Sequence, residues 1–287
     1  MRRLKRHLIR AFCALTAVGA VVLPTPRSAL AAAVLPTYAH VVIVVEENRS
    51  QANIIGNQAA PFINALAAGG AMMAQSFAET HPSEPNYLAL FAGSTFGLKK
   101  DSCPVEVGAQ PNLATELLAA GRTFGGYSED LPAVGSTACS AGKYARKHVP
   151  WVNFSNVPPG VSVPFSAFPQ PANYASLPTV SFVIPNNDNN MHDGSIAQGD
   201  AWLNSRMSAY ANWARANNSL LIVTWDEDDG GQRNQIPTVF YGAHIQPGSY
   251  NETISHYNVL ATLEEMYGLP KTGLAANAAP IATIWGG

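Results

Sequence analysis

Residues 219–231 read SLLIVTWDEDDGG, an apolar run from Leu220 to Val223 that passes through Thr224 and Trp225 into four consecutive carboxylates, Asp226, Glu227, Asp228 and Asp229. The unbroken apolar stretch predicts a buried strand. In a chain with only 13% charged residues, so much acid at a strand end is either a solvated turn or an edge that carries ligands.

Working outward, similar short runs at residues 40–45, 71–77, 123–127, 179–184 and 238–241 predict further strands. They alternate with helical patterns at residues 60–68, 86–92, 112–120, 200–216 and 256–267. That rhythm predicts an α/β protein with a largely parallel sheet. The proline-rich stretch 150–178, with Phe154, Phe165, Phe168 and Tyr174 in it, has neither period and reads as an ordered excursion over the sheet.

The 287 residues, 47% of them hydrophobic, suffice for one sizeable core. Arg2, Arg3, Lys5, Arg6 and Arg10 precede an apolar run at 11–23 and the small residues around Ala29 and Ala31, the pattern of an export signal over residues 1–31. The run is interrupted by Pro24 and Pro26 and is shorter than the roughly 20 residues that span a bilayer. The expectation is a secreted or cell-envelope protein with one catalytic domain over residues 32–287 and no stable membrane insertion. Loss of residues 1–31 takes six of 17 basic residues and none of the 19 acidic ones, leaving 11 − 19 = −8, which disfavours nucleic acid as a partner. Cys103 and Cys139 then remain, and in an exported chain a disulfide between them is expected over two free thiols or a metal pair.

In parallel sheets ligands bind beyond the carboxyl ends of strands, and here those ends share a chemistry. Residues 40–45 lead into Glu46-Glu47-Asn48-Arg49-Ser50, and 71–77 into Glu79-Thr80-His81-Pro82-Ser83-Glu84-Pro85-Asn86. Residues 179–184 lead into Asn186 through Asp193, with Asp188 and His192 among them, and 219–225 into the acidic block. His256 opens the last helix. Clustered carboxylates repel unless a cation neutralises them, and such oxygen and nitrogen donors suit a divalent metal ion. Ser83, in a strand-to-helix turn before Pro85-Asn86, is the candidate nucleophile, although an ordinary N-cap serine fits the local sequence as well. No G-x-S-x-G, Walker or dinucleotide glycine pattern offers another chemistry.

Five segments in this order resemble the phosphoesterase family of secreted acid phosphatases and phospholipases C, within the alkaline phosphatase superfamily. They are Glu47-Asn48-Arg49-Ser50, Thr80 through Tyr87, Pro185 through Asp193, Thr224-Trp225-Asp226-Glu227 and Ser255-His256-Tyr257. The resemblance spans residues 38–270, and the chain's length favours the compact acid phosphatase branch. It implies a three-layer sandwich, a mostly parallel sheet flanked by helices, and hydrolysis of small-molecule or lipid phosphate esters through a phosphoserine intermediate. It further implies that Glu47, Asn48, Asp226 and Glu227 surround a metal beside Ser83, that Asn86 points at a phosphate oxygen, and that Asp188, His192 and His256 match a second metal position. His192 or His256 is then the proton donor to the leaving group, and His148, in the basic cluster 143–148, resembles a position near the active site. Two positions depart from the superfamily pattern: Glu227 stands where a histidine is common, and Asn187 competes with Asp188. One metal ion or two, monoester or diester, and a silent metal-stabilised binding protein all remain open at this stage.

Overall fold

The computed structural model describes residues 35–231 and 233–286, so the expected export signal lies outside the described residues. Ten strands occur: β1 His40–Glu46, β2 Ala71–Phe77, β3 Phe124–Ser128, β4 Ser140–Ala141, β5 Tyr144–Ala145, β6 Ser162–Pro164, β7 Val180–Ile184, β8 Ser219–Trp225, β9 Thr238–Gly242 and β10 Gly248–Ser255. The helices are α1 Gln51–Ile54, α2 Pro61–Gly69, α3 Ser83–Ala92, α4 Leu113–Ala119, α5 Ile196–Ala216 and α6 His256–Met266.

Eight strands form one sheet in the order β10-β2-β9-β8-β1-β7-β3-β6, while β4 and β5 make a small ribbon. Within the eight-stranded sheet only β9 runs antiparallel to its neighbours, β2 and β8; the other pairings of that sheet are parallel. The carboxyl ends of β1, β2, β7, β8 and β10 therefore share one rim. β1 lies between β8 and β7, and its residues alternate between two cores. Val41, Ile43 and Val45 pack with Leu88 and Phe91 of α3 and Leu260 and Leu263 of α6. Val42 and Val44 face Ile63 of α2 and Leu203, Met207 and Tyr210 of α5. The result is the expected three-layer α/β architecture, and every residue of β8 is buried.

The helix and strand bounds differ from the sequence expectation where periodicity is silent. α3 begins at Ser83, three residues before the predicted start, and Pro82 is its N-cap, so Ser83 opens the helix rather than capping it. α5 begins at Ile196, where the Ser195 side chain accepts from the Gln198 amide. β10 is an edge strand with a single buried residue, Ile254, and so carried no apolar signal. The excursion over 150–178 is ordered into short 3-10 turns and β6. It is anchored where the Trp151 ring lies against β3: a Cβ on Gly126 would come within 2.2 Å of that ring. Cys103 and Cys139 are disulfide-bonded. No helix among the described residues is long and apolar enough to cross a membrane.

Glu264 on α6 gives the fold a pH dependence. Burial raises its carboxyl from 4.5 to about 6, and the Thr272 amide and hydroxyl that donate to Oε1 only partly offset this. Because the folded-state value is raised, this carboxyl's contribution to stability is complete below about pH 4.5 and is lost as pH rises through about 6. The loss amounts to up to about 2 kcal/mol. Chemical denaturation at acid and neutral pH is expected to show Glu264→Gln losing less stability on neutralisation than the parent, by that amount.

Candidate active site

β1 and β8 lie side by side, and their ladder continues as the Asp226 amide donates to the Glu46 carbonyl at 3.0 Å. Past that point the chain turns at Asn48, whose φ is 51° and whose amide donates to Asp226 Oδ1 at 3.2 Å. Asparagine tolerates this left-handed conformation better than most residues. The pairing brings Glu47, Asp226 and Glu227 together below the start of α3. Ser83 Oγ lies 2.9 Å from Glu227 Oε1 and 3.2 Å from Glu47 Oε2.

These carboxylates are crowded and dry. Burial raises Glu47, Asp226 and Glu227 above the usual carboxylate range, and Asp226 is raised further by the charges of Glu47 and Glu227. Among the described residues none of the three forms an ion pair with lysine or arginine. Their close partners are Tyr87, which donates to Glu47 Oε1 at 2.5 Å, His148, whose Nε2 is 3.1 Å from that oxygen, and His81, which contacts Glu227. Burial holds His148 well below the ordinary histidine value, with Lys147 and His192 adding to the effect. Asp226 Oδ2 is buried without a hydrogen-bond partner.

Three buried carboxylates with no lysine or arginine paired to them, an unpartnered carboxylate oxygen and a buried imidazole are a donor set that fits a divalent metal ion. Among the described residues, Glu47, His148 and His192 form the one set of three acidic, histidine or cysteine side chains whose ligand atoms lie within 4.8 Å of one another. Glu47 thus belongs to both the acidic and the imidazole donors.

The structure does not gather the expected second metal set. His256 is buried, with Nδ1 2.6 Å from Glu79 Oε2 and Nε2 2.9 Å from the Trp225 carbonyl, so both ring nitrogens are engaged. Burial lowers its pKa, but Glu79 and the Trp225 carbonyl outweigh this and leave it raised. Asp188 points outward to Lys143 at 2.8 Å. Asn187 instead carries a buried carbonyl oxygen with no partner. His192 stays at the site, its Nδ1 2.8 Å from Asp193 and its ring 5.8 Å from that of His148.

Asn86 also differs from expectation. Its Oδ1 accepts from the Glu79 and Thr80 amides and its Nδ2 donates to the Thr80 and Pro82 carbonyls. A fully committed amide has nothing left for a phosphate; it shapes the turn that presents Ser83. Asn86→Ala is expected to destabilise the protein by on the order of 3 kcal/mol, since it strands several buried backbone groups. Urea denaturation beside activity would show both falling together.

Glu46 faces the opposite core, where burial, then Glu129 and Asp200, raises it well above the carboxylate range. Arg49 donates to the Asn48 and Gly194 carbonyls rather than pairing with a carboxylate. Asp228 holds the 228–234 loop through the Gly230 and Asn234 amides, and Asp229 accepts from Asn53. Sequence reasoning missed His81, Tyr87 and Asp101. Tyr87 was legible, for it lies one helical turn after Ser83 and so on the same face.

A model described as the phosphoesterase family matches residues 56–270. The chain is 73% identical over 294 residues to a phosphatidylinositol-3-phosphatase of Mycobacterium tuberculosis, an alignment covering 100% of this chain and 98% of that one. It is 31% identical over 227 residues to an acid phosphatase of Aspergillus fumigatus, covering 72% of this chain and 51% of the fungal protein, so it spans about half that protein's length. Among solved structures, an alkaline phosphatase superfamily protein from Vibrio parahaemolyticus superposes with a TM-score of 0.60 at 13% identity, over 84% of this chain and 69% of that one. The lipoteichoic acid synthase LtaP from Listeria monocytogenes superposes at 0.59 and 11% identity, over 83% and 74%. At these identities the structural likeness establishes the fold alone.

Proposed function

The chain belongs to the phosphoesterase family, and we propose that this phosphoric ester hydrolase is a metal-dependent phosphomonoesterase whose nucleophile is Ser83. The observation that carries the reading is Ser83 Oγ placed 2.9 Å from Glu227 and 3.2 Å from Glu47 at the start of α3. The hydroxyl sits on the first helical residue, where the helix dipole favours an anion.

A divalent cation held by Glu47, Asn48, Asp226 and Glu227 would offset their mutual repulsion and supply the Lewis acidity that makes the hydroxyl a nucleophile at ordinary pH. Glu227 takes the Ser83 proton as Oγ bonds to phosphorus and the bond from phosphorus to the leaving oxygen breaks. His192, held by Asp193 and partly exposed, gives a proton to the leaving alcohol. Water then attacks the phosphoserine, giving its proton to His192, while Glu227 returns its proton to Ser83 Oγ as the phosphorus–Oγ bond breaks and inorganic phosphate leaves. His148, Tyr87 and His81 position the carboxylates on either side of the serine. With His192, His148 offers Glu47 a second set of donors.

The substrate class follows from kinship. The mycobacterial relative's name places it on a phosphate monoester of an inositol lipid, and identity of 73% across the chain supports the same class here. Export through residues 1–31, with one catalytic domain over 32–287, completes the reading.

The test is phosphate release from monoesters, a phosphoinositide among them, with a diester beside them, with and without chelator. Chelator-sensitive monoester turnover is the expected result. Diester preference would make the protein a phosphodiesterase, and chelator-resistant turnover would remove the metal.

A further inference from the structure

Arg146, Lys147 and His148 are consecutive residues of one 3-10 turn, yet each side chain ends at a different element. Arg146 is buried and donates to the Thr137 and Val105 carbonyls, stapling the two segments that the Cys103–Cys139 disulfide joins. His148 ends at Glu47. Lys147 ends at Asp101, with Nζ 2.6 Å from Oδ2. The other oxygen of the same carboxylate, Oδ1, accepts the Glu84 amide at 3.0 Å, and Glu84 follows Ser83. Glu84 answers by accepting from the Ser102 amide at 2.8 Å. One carboxylate thus ties an ammonium to the first turn of the nucleophile's helix.

We propose that Lys147, aimed by Asp101, is the specificity-determining cation of this site, binding a terminal phosphoryl oxygen and favouring dianionic monoesters over monoanionic diesters. The proposal rests on the phosphomonoesterase reading above and deepens it. Lys147 keeps two of its three donors after pairing with Asp101, and it is 24% exposed, so a ligand can reach it. Its charge is felt at Glu47, and those of Glu47 and Asp226 are felt at Lys147. The other cations of the rim are committed elsewhere: Lys143 to Asp188 and Asp193, Arg49 to two carbonyls, and Arg146 to its staple. Charge supplies the selectivity. Three ionised carboxylates around one divalent cation leave a net negative site, which repels a phosphoryl dianion more than a monoanion. A fixed lysine beside it compensates more for the dianion.

The test compares wild type, K147Q, K147R and D101N on p-nitrophenyl phosphate and bis(p-nitrophenyl) phosphate, and measures binding of inorganic phosphate by calorimetry. K147Q is expected to lower monoester kcat/KM roughly 30-fold and diester kcat/KM less than about 3-fold, and to weaken phosphate binding about tenfold. K147R restores most of the loss. D101N gives the same pattern at smaller size and serves if K147Q fails to fold. Equal losses on both esters, or unchanged phosphate affinity, would overturn the proposal. If wild type turns over no monoester, the phosphomonoesterase reading fails, and the phosphate titration still decides whether Lys147 binds the anion.

Discussion

Replacing Ser83 with alanine is expected to lower monoester turnover by about 10,000-fold or more, because it removes the atom that bonds to phosphorus in the proposed mechanism. The fold should survive. The lost hydroxyl's hydrogen bonds go to carboxylates of the site, Glu47 and Glu227 among them, and the helix it opens is carried by Tyr87, Leu88, Leu90 and Phe91 in the core. Steady-state kinetics beside a thermal melt separates the two effects. A variant that melts like the parent and retains a tenth of its rate would remove Ser83 from the chemistry.

Asp226→Asn is expected to split activity from stability in the opposite direction. The substitution keeps the Oδ1 acceptor for the Asn48 amide but removes a charge that burial, Glu47 and Glu227 all disfavour. In metal-free protein at neutral pH the melting temperature should therefore rise. Turnover should fall by about 1,000-fold or more, since in the proposed mechanism the same charge holds the cation. Saturating divalent cation should raise the parent's melting temperature and raise that of the variant much less. If the variant melts lower than the parent without metal and responds equally to it, Asp226 is a structural carboxylate.

Both expectations rest on features that the sequence made legible to different degrees. The strand over 219–225 and its acidic end were readable, because a fully buried strand leaves an unbroken apolar run and a rim leaves polar residues after it. The start of α3 was not: SEPN carries no apolar period, and its helical turn is held by the Asn86 amide folding back on residues 79–82. The same contacts explain why Asn86 read as a phosphate ligand, since a motif gives an amide's position but not its partners. His256 misled for a related reason. It sits on the rim in sequence order, yet the Trp225 carbonyl and Glu79 take both its nitrogens. The pairing of Lys147 with Asp101, across 46 residues, had no local signal at all.

The most direct measurement is to mix the protein with a phosphate monoester, quench in acid within the turnover time, and map covalent phosphate by peptide mass spectrometry. The mechanism predicts phosphate on the peptide that contains Ser83 and none in the alanine variant. Full turnover with no phosphopeptide at any quench time, or phosphate on a different residue, would contradict it.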